Sequence, residues 1–250
     1  MFATAAALHD IEKRYKTFTL GPLTLTIPAG SIVGLVGENG AGKTTTLKLL
    51  TGVIRPSAGQ AELLGGNPAD PATRARIGVV FEDAYFYENL TAAQVGRSMA
   101  GIFGARWQPE AFAGYLTRFG LDPRQKIKEY SRGMRMKLSL ATALAHAPEL
   151  LVLDEPTSGL DPVVRGEILD LFLDFIQDET RSILMSSHIT TDLEQVADSI
   201  AYLHKGRLLF QEDKDELLAE YGLLRCAQAD LAKLPDGAAI HTERRAFGCE

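Results

Sequence analysis

The sequence predicts an α/β protein with a mainly parallel sheet, a small antiparallel β-subdomain and an inserted α-helical subdomain. Short apolar strands alternating with helical periodicity predict the parallel sheet. The period-2 alternation from Leu23 to Ile27 predicts the antiparallel sheet. The helical pattern from about Thr91 to His146, which contains no comparably strong strand, predicts the insertion. The chain has 250 residues, 46% of them hydrophobic, so it can bury a sizeable core.

The elements of the predicted parallel sheet follow in order along the chain. Its strands are expected at residues 31–36, 77–81, 150–153, 182–185 and 200–203. A helix is expected from about Gly42 to Leu50. Asp161 followed by Pro162 has the pattern of an N-cap with proline at the first helical position, and apolar residues recur on one face of the helix after it. A further helix passes through Leu193 and Ala197.

The chain is expected to divide into one large domain and a short tail. We expect residues 1–220 to form the domain, with the helical insertion at about residues 84–146, and residues 221–250 to form the C-terminal tail. The segment beyond about Gly222 is weakly patterned, and residues 246–250 carry no stop signal. The natural terminus is therefore expected to lie further on.

Composition argues against several classes of protein. The formal net charge is −6 with Lys and Arg scattered, which disfavours a dedicated nucleic-acid binder. Cys226 and Cys249 have no metal-ligand spacing, so a reducing compartment is expected. No apolar run approaches the roughly 18 residues of a spanning helix. Residues 1–10 lack a secretory signal pattern. We expect a cytoplasmic protein that acts on a membrane only through a partner.

The segment from Gly37 to Thr44 reads GENGAGKT and matches the phosphate-binding pattern G-x-x-x-x-G-K-[ST]. It follows a predicted strand and opens a helix, which is the context that the motif requires. Glycines allow backbone N–H groups to point at an anion, and the helix N-terminus adds positive potential. Lys43 would reach the β- and γ-phosphates, and the Thr44 hydroxyl would ligate Mg²⁺. A chance glycine-rich turn is the alternative, and the strand–loop–helix context argues against it.

Asp154 and Glu155 form an acidic pair at the carboxyl end of a buried strand, where ligands of open α/β sheets bind. Asp154 can hold Mg²⁺, and Glu155 can polarise a water for attack on the γ-phosphate. In isolation, an acidic pair that merely ends a strand would be the commoner explanation.

Three further motifs surround the acidic pair. Residues 130–134 read YSRGM and precede a helical run, residues 158–161 read SGLD, and His188 ends the next strand. With the phosphate loop, this order resembles the ABC ATPase family over roughly residues 8–218. The run from Tyr130 to Asp161 is much more specific than the phosphate loop alone.

The resemblance implies a P-loop NTPase core with the inserted helical subdomain. It also implies that two such domains form a head-to-tail dimer, either a homodimer or a heterodimer, which encloses two ATP molecules. Each ATP would lie on the phosphate loop of one subunit and face the signature motif of the other. Hydrolysis would then wait for dimer closure, because each site is split between the two subunits. ADP lacks the γ-phosphate that the second subunit contacts, and this difference in affinity could drive opening and closing.

The resemblance also assigns roles to residues of this chain. Tyr15 would stack on adenine, although an exposed tyrosine is usually only surface. Glu155 would be the catalytic base, His188 would hold the γ-phosphate and the water in line, and Asp161 would couple the two sites. The residues with an expected catalytic role are Glu155, His188 and Lys43. Those expected to ligate the metal are Thr44, Asp154 and Glu82. The residues expected to contact ATP are Tyr15, Gly37, Asn39, Gly40, Ala41, Gly42, Lys43, Thr44, Thr45, Ser131, Gly133 and Asp161.

Two motifs depart from the common family pattern. Glu82, followed by Asp83, occupies the position where the family usually has Gln; we expect its carboxylate to lie near the metal, the alternative being a solvent-facing residue. Arg132 and Met134 stand where Gly and Gln are common, and Arg132 either adds a cation near the γ-phosphate or lies on the surface. A signature of this form resembles ATPases paired with ABC-2 type exporters.

The sequence therefore predicts the ATP-hydrolysing subunit of an exporter with a separate ABC-2 type membrane permease. The permease is expected to dock in the groove between the core and the insertion near residues 85–87 (YFY); burial of these aromatics within the insertion is the competing explanation. A soluble ABC ATPase, such as one acting in iron–sulfur assembly, is the alternative. The signature and the acidic pair argue against a small-molecule kinase.

Overall fold

The computed structural model describes residues 4–82, 86–222, 226–227, 230, 233, 244–245 and 248–249. The chain divides into two compact units, Met1–Asp213 and Lys214–Glu250. In the described part of the second unit there are one helix, Lys214–Glu220, and a short antiparallel pairing of Arg244–Arg245 with Gly248–Cys249. The first unit contains a six-stranded sheet, a three-stranded sheet and all of the residues with an expected role in ATP binding.

The first unit alternates strands and helices. Its strands are β1 (Thr4–Arg14), β2 (Thr19–Pro28), β3 (Ile32–Val36), β4 (Ala58–Leu63), β5 (Ile77–Val80), β6 (Leu150–Asp154), β7 (Ser182–Ser187), β8 (Ser199–His204) and β9 (Arg207–Asp213). Its α-helices are α1 (Lys43–Leu50), α2 (Pro71–Arg74), α3 (Ala92–Phe103), α4 (Pro109–Arg118), α5 (Arg132–Leu144), α6 (Pro162–Ile176) and α7 (Thr190–Val196).

The main sheet has six strands in the order β5-β6-β7-β3-β8-β9. All neighbouring strands are parallel except β9, which returns antiparallel to β8. The register places Val36 opposite Ser187 and Asp154 opposite Ser186. The carboxyl ends of β3, β6 and β7 therefore meet at one edge of the sheet. The phosphate loop, the acidic pair and His188 each follow one of these strands, so the topology brings them together.

The second sheet is antiparallel, with strand order β2-β1-β4. The predicted alternation holds in β2, where Leu23, Leu25 and Ile27 are buried and the residues between them are more exposed. These side chains belong to one apolar core with Leu47 of α1 and Leu35 of β3. The phosphate-loop helix is consequently packed between two sheets, which fixes its position relative to the edge of the main sheet.

The segment between β5 and β6 is helical, as its periodicity predicts. Thr91 and Gln94 form a capping box at the start of α3, in which each side chain bonds the backbone N–H of the other. Helices α3, α4 and α5 pack around Trp107, Phe112 and Leu138 in the second apolar core. The insertion thus has a local signal that begins α3, and its apolar residues share one core with the main sheet, including Leu153 and Met185.

His146 joins the insertion to the main sheet. Its Nε2 lies 2.9 Å from the carbonyl oxygen of Ile77 in β5, and its ring stacks on Phe103 of α3 at a centroid distance of 4.0 Å. The side chain is buried, and its Nδ1 has no hydrogen-bond partner among the described residues. Burial holds the pKa of His146 below its ordinary value, and the nearby Arg106 acts in the same direction.

Within the part of the chain that the structure describes, no helix has both the length and the apolar character required to cross a lipid bilayer.

Acidification is expected to destabilise the fold through His146. The unfolded chain takes up a proton near the ordinary histidine pKa of about 6.5, whereas the buried ring, whose pKa is lowered by burial, takes one up only at lower pH. The free energy of unfolding should therefore fall as the pH drops below about 6.5, by at most about 1.4 kcal/mol per pH unit for one proton. His146→Phe retains the ring stack and should make this pH dependence shallower in urea titrations.

The matched control is His9→Asn, because His9 is exposed. It should leave the slope of stability against pH unchanged. Equal slopes for the parent and His146→Phe would contradict the assignment.

Candidate functional site

The phosphate loop connects β3 to α1 at the carboxyl edge of the main sheet. Gly42, the N-cap of α1, has a φ of 111°, a backbone conformation that favours glycine. A Cβ at this position would also lie 2.7 Å from Leu20 Cδ1. No side chain caps the helix start, so no capping side chain occupies the backbone N–H groups of its first turn. This arrangement has the geometry of an anion cradle.

Residues of the phosphate loop differ in exposure. Asn39 and Gly40 are exposed at the tip, whereas Gly37 and Ala41 are buried. Thr45 is half-buried on α1. The Lys43 side chain folds back across the loop, and its Nζ donates to the carbonyl oxygens of Gly37 at 2.7 Å and Glu38 at 3.4 Å. The ammonium group is thereby held inside the loop that would surround a phosphate.

Asp154 accepts hydrogen bonds on both carboxylate oxygens. Thr44 Oγ1 donates to Oδ2 at 2.7 Å, and Ser186 Oγ donates to Oδ1 at 2.6 Å. A hydroxyl and a carboxylate oxygen therefore lie side by side next to the phosphate loop. Oxygen donors of this kind are the ligands that Mg²⁺ prefers, so Thr44 and Asp154 fit the magnesium role expected of them.

Glu155 is buried between two partners. Its Oε1 lies 3.1 Å from Lys43 Nζ and has no hydrogen bond among the described residues, and its Oε2 lies 2.6 Å from His188 Nδ1 and 3.3 Å from the His188 backbone nitrogen. Lys43 and Glu155 are each only 6% exposed, whereas His188 is exposed. The structure thus brings all three expected catalytic residues into direct contact.

The backbone of Glu155 is also unusual. Its φ is 51°, in the left-handed region that a non-glycine residue rarely adopts. The backbone nitrogen donates to the carbonyl oxygen of Ser186 at 3.2 Å and to Ser186 Oγ at 3.1 Å. Strained backbone of this type is found preferentially at functional sites, where surrounding bonds hold it in place.

Ser186 is a site residue that the sequence analysis does not single out. Its hydroxyl fixes the Asp154 carboxylate and accepts from the Glu155 backbone, so it holds both acidic residues at once. The available signal was a pair of polar residues, Ser186 and Ser187, at the end of an otherwise apolar strand. That pattern indicates a strand end but does not reveal its partner on β6.

Tyr15 lies between β1 and β2. Its side chain is 47% exposed, and Lys13 Nζ lies 5.8 Å from the ring centroid. An exposed ring is available to stack on a base. Its expected contact with adenine remains a prediction.

Ser131 and Asp161 both cap helices of their own chain. Ser131 Oγ accepts from the Met134 backbone nitrogen at 3.2 Å at the start of α5. Asp161 accepts from the first turn of α6 at 3.1 Å and 3.0 Å. A Cβ on Gly133 would lie 3.3 Å from Val164 of α6, so the two helix starts approach each other closely. The expected contacts of Ser131, Gly133 and Asp161 with the nucleotide of a second copy remain predictions.

The two departures from the family pattern are neighbours in space. The Glu82 carboxylate lies 3.5 Å from the Arg132 guanidinium, and both side chains are about half exposed. A Cβ on Gly159 would lie 2.4 Å from Arg132 Nη1, so the guanidinium group covers this glycine. The expected metal ligation by Glu82 remains a prediction. Asp83 lies outside the described residues.

A cavity of about 410 Å³ opens between the core and the insertion. Val79 and Phe81 line it from the core side, and Met99 and Phe103 line it from α3. Among the aromatics expected at this groove, Phe86 is half-buried and lines the cavity, Tyr87 is 85% exposed, and Tyr85 lies outside the described residues.

Comparison with known sequences identifies several relatives. Residues 20–158 match the ABC transporter family. The bacitracin transport ATP-binding protein BcrA of Bacillus licheniformis is 38% identical over 220 residues, which cover 86% of this chain and 72% of that protein. The fluoroquinolones export ATP-binding protein of Mycobacterium tuberculosis is 36% identical over 241 residues, or 89% of this chain and 79% of that protein. An uncharacterized ABC transporter ATP-binding protein of Synechocystis is 38% identical over 230 residues, covering 86% of this chain and 65% of that protein's length.

The fold is likewise similar to known structures. The solved structure of an ATP-binding subunit of an ABC transporter superposes with a TM-score of 0.77 at 28% identity. The superposition covers 92% of this chain and 98% of that chain.

Ser186→Ala tests whether the Ser186 hydroxyl holds Asp154 and Glu155 in position. The substitution leaves Asp154 Oδ1 and the Glu155 backbone without the hydroxyl, which should cost about 1–3 kcal/mol in the free energy of unfolding. It should also lower the ATP hydrolysis rate about tenfold or more, because both carboxylates are less firmly positioned. Urea denaturation and phosphate release are the measurements.

Ser182→Ala is the matched control. Ser182 is buried on the same strand, and its hydroxyl accepts from the Gly30 backbone at 3.0 Å, away from the acidic pair. It should lose stability without the hydrolysis defect. Equal hydrolysis rates for the two variants would count against the role of Ser186.

Proposed function

The chain belongs to the family of ABC transporter ATP-binding proteins, and from this premise we infer that it is the ATP-hydrolysing motor of an exporter whose membrane permease is a separate polypeptide. ATP hydrolysis follows from the family and from its relatives. The observation that carries the proposal is the contact between Lys43, Glu155 and His188 beside the Thr44–Asp154 pair at one edge of the sheet. Export is supported by a relative named for fluoroquinolone export.

In this proposal, Lys43 and the backbone of the phosphate loop bind the phosphates of ATP. The ammonium group is already held inside the loop by two carbonyl oxygens, so little reorganisation is needed when an anion arrives. Thr44 and Asp154 would hold Mg²⁺, with Glu82 a further candidate ligand, and the metal would neutralise charge on the phosphate oxygens. The Thr44–Asp154 hydrogen bond keeps these two oxygen donors together.

Glu155 is the proposed base, and His188 the proposed positioning group. Phosphate oxygens compete with Glu155 for the Lys43 ammonium, and this competition would free Oε1 to accept a hydrogen bond from the attacking water. His188 keeps Oε2 in place through Nδ1 and leaves the far side of its imidazole available to the γ-phosphate. Positioning of this kind supplies most of the catalysis in phosphoryl transfer.

We also propose that two copies, or this chain and a related subunit, form a head-to-tail dimer around ATP. Tyr15 would stack on adenine, Ser131 and Gly133 would contact the γ-phosphate from the second copy, and Asp161 would link the two sites. ATP would then bind the closed dimer more tightly than ADP does, and this difference in affinity would drive opening and closing.

The domain arrangement is part of the proposal. Residues 1–220 would form the ATP-binding domain, with the helical insertion at about residues 84–146, and residues 221–250 would form an appended tail. The cavity between core and insertion is the proposed docking surface for an ABC-2 type permease, since its lining is largely apolar and both parts of the domain contribute to it. Docking there would hold the chain at the inner face of the membrane.

Glu155→Gln should nearly abolish ATP hydrolysis while preserving ATP binding. A glutamine cannot accept the proton of the attacking water, and loss of a general base typically lowers the rate about 100- to 10,000-fold. The variant should accumulate as an ATP-bound dimer in size-exclusion chromatography. Hydrolysis at the parental rate would show that Glu155 is not the base.

Lys43→Ala tests the binding of ATP by the phosphate loop. It removes the cation from the loop and should abolish measurable ATP affinity in titration calorimetry. Unchanged ATP affinity would contradict the assignment of the phosphate loop.

The docking surface can be tested with a pair of exposed apolar residues. Val53 is 55% exposed and lines the cavity, whereas Ile102 is 70% exposed and lies outside its lining. Val53→Glu should prevent co-purification of a polytopic membrane protein from detergent extracts of the source cells, and Ile102→Glu should not. Both variants should hydrolyse ATP like the parent when isolated. Recovery of a soluble iron–sulfur scaffold instead of a membrane protein would favour a soluble ABC ATPase.

A further inference from the structure

Asp192 is a buried carboxylate with no role in the proposed mechanism so far. It lies on α7, the helix that follows His188, and its exposed fraction is 0%. One oxygen accepts from Thr157 Oγ1 at 2.5 Å, and the other pairs with Arg165 Nε. A buried carboxylate is stable only when its charge and hydrogen-bonding capacity are satisfied, as they are here.

Thr157 belongs to the turn that carries Glu155 away from β6. The turn leaves the sheet in the left-handed conformation of Glu155, and its internal bonds are long, 3.2 Å from Ser158 N to Glu155 O and 3.3 Å from Leu160 N to Thr157 O. Thr157 itself is buried. The hydrogen bond from its hydroxyl to Asp192 is therefore a strong attachment between this turn and the neighbouring helix.

Arg165 attaches the same segment at its far end. It lies near the start of α6, whose N-cap is Asp161, and its guanidinium also donates to Thr191 Oγ1 at 2.8 Å. Asp192 therefore holds the chain on both sides of residues 158–161, and it does so from the helix that begins just beyond His188.

We propose that Asp192 is a positioning residue for ATP hydrolysis. Through Thr157 and Arg165 it fixes the turn after Glu155 relative to α7. It thereby keeps the carboxylate of Glu155 in contact with His188 when the Lys43 ammonium binds the phosphates of ATP instead of Glu155. The inference rests on the proposed roles of Glu155 and His188. It adds a connection between the catalytic pair and residues 158–161, which include Asp161, the residue expected to couple the two sites.

Thr157→Val is the primary test, because valine has nearly the same shape but cannot donate to Asp192. The turnover number should fall about ten- to a hundredfold, since small displacements of catalytic groups have effects of this size. The KM for ATP should stay within about twofold because the phosphate loop is untouched. Thr157→Ser restores the hydroxyl and should restore turnover.

Thr51→Val is the matched control. Thr51 is equally buried, and its hydroxyl donates to Leu47 O at 2.8 Å at the C-terminal end of α1. All variants are assayed at a temperature where circular dichroism shows them fully folded, and Thr157→Ala replaces Thr157→Val if the latter does not fold. Equal turnover for Thr157→Val and Thr51→Val, or failure of Thr157→Ser to restore it, would overturn the inference.

Failure of the inference about Asp192 can be distinguished from failure of the proposed function. If Glu155→Gln abolishes hydrolysis while Thr157→Val retains it, Glu155 is the base and Asp192 has no positioning role. If Glu155→Gln hydrolyses ATP normally, the proposed function fails before the Thr157 variants are considered.

Discussion

The ion pair between Lys43 and Glu155 is the interaction on which the architecture of the site depends. Both groups are buried, and removing one partner of a buried pair typically costs about 3–5 kcal/mol because the other is left as an uncompensated charge. The pair can form only because β3 and β6 lie on either side of β7 in a parallel sheet, with their carboxyl ends at one edge. In the proposed mechanism, ATP exchanges one buried anion for another at Lys43, so the site remains compensated as it changes state.

The main sheet could be predicted from the sequence because its strands are short apolar runs with clear ends. Leu150–Asp154 is buried at every position and carries its own signal. Strand β4 carries no such signal. In Ala58–Leu63 only Leu63 is buried, and Gly59 and Gln60 do not favour a strand. It becomes a strand by pairing with β1, a partner about 50 residues earlier in the chain. Long-range pairing of weakly patterned segments is information that local periodicity does not contain.

The residues of the candidate site likewise fall into those that a local motif predicts and those that act through distant partners. Lys43, Thr44, Asp154 and Glu155 could be predicted because each belongs to a local motif with fixed spacing. Ser186 and Asp192 act through hydrogen bonds to residues more than 25 positions away. A serine at a strand end or an aspartate in a helix is too common to indicate such a partner. Glu82 and Arg132 were each visible as departures from a pattern. Their mutual contact depends on how the insertion folds back on the core.

The capping roles of Ser131 and Asp161 bear on how a second copy would be recognised. Ser131 Oγ accepts a hydrogen bond from the α5 backbone. A hydroxyl also carries one donor, for which the described residues supply no acceptor and which could therefore bond an anion. The same hydrogen bond fixes the position of Ser131 Oγ at the start of a 13-residue helix whose dipole favours negative charge there. Capping within the chain and contact with the phosphate of another copy are therefore compatible. The residues that would complete a partner's site are held rigid by their own helices, while Glu155 and His188 are held by the sheet edge and, through Thr157, by Asp192.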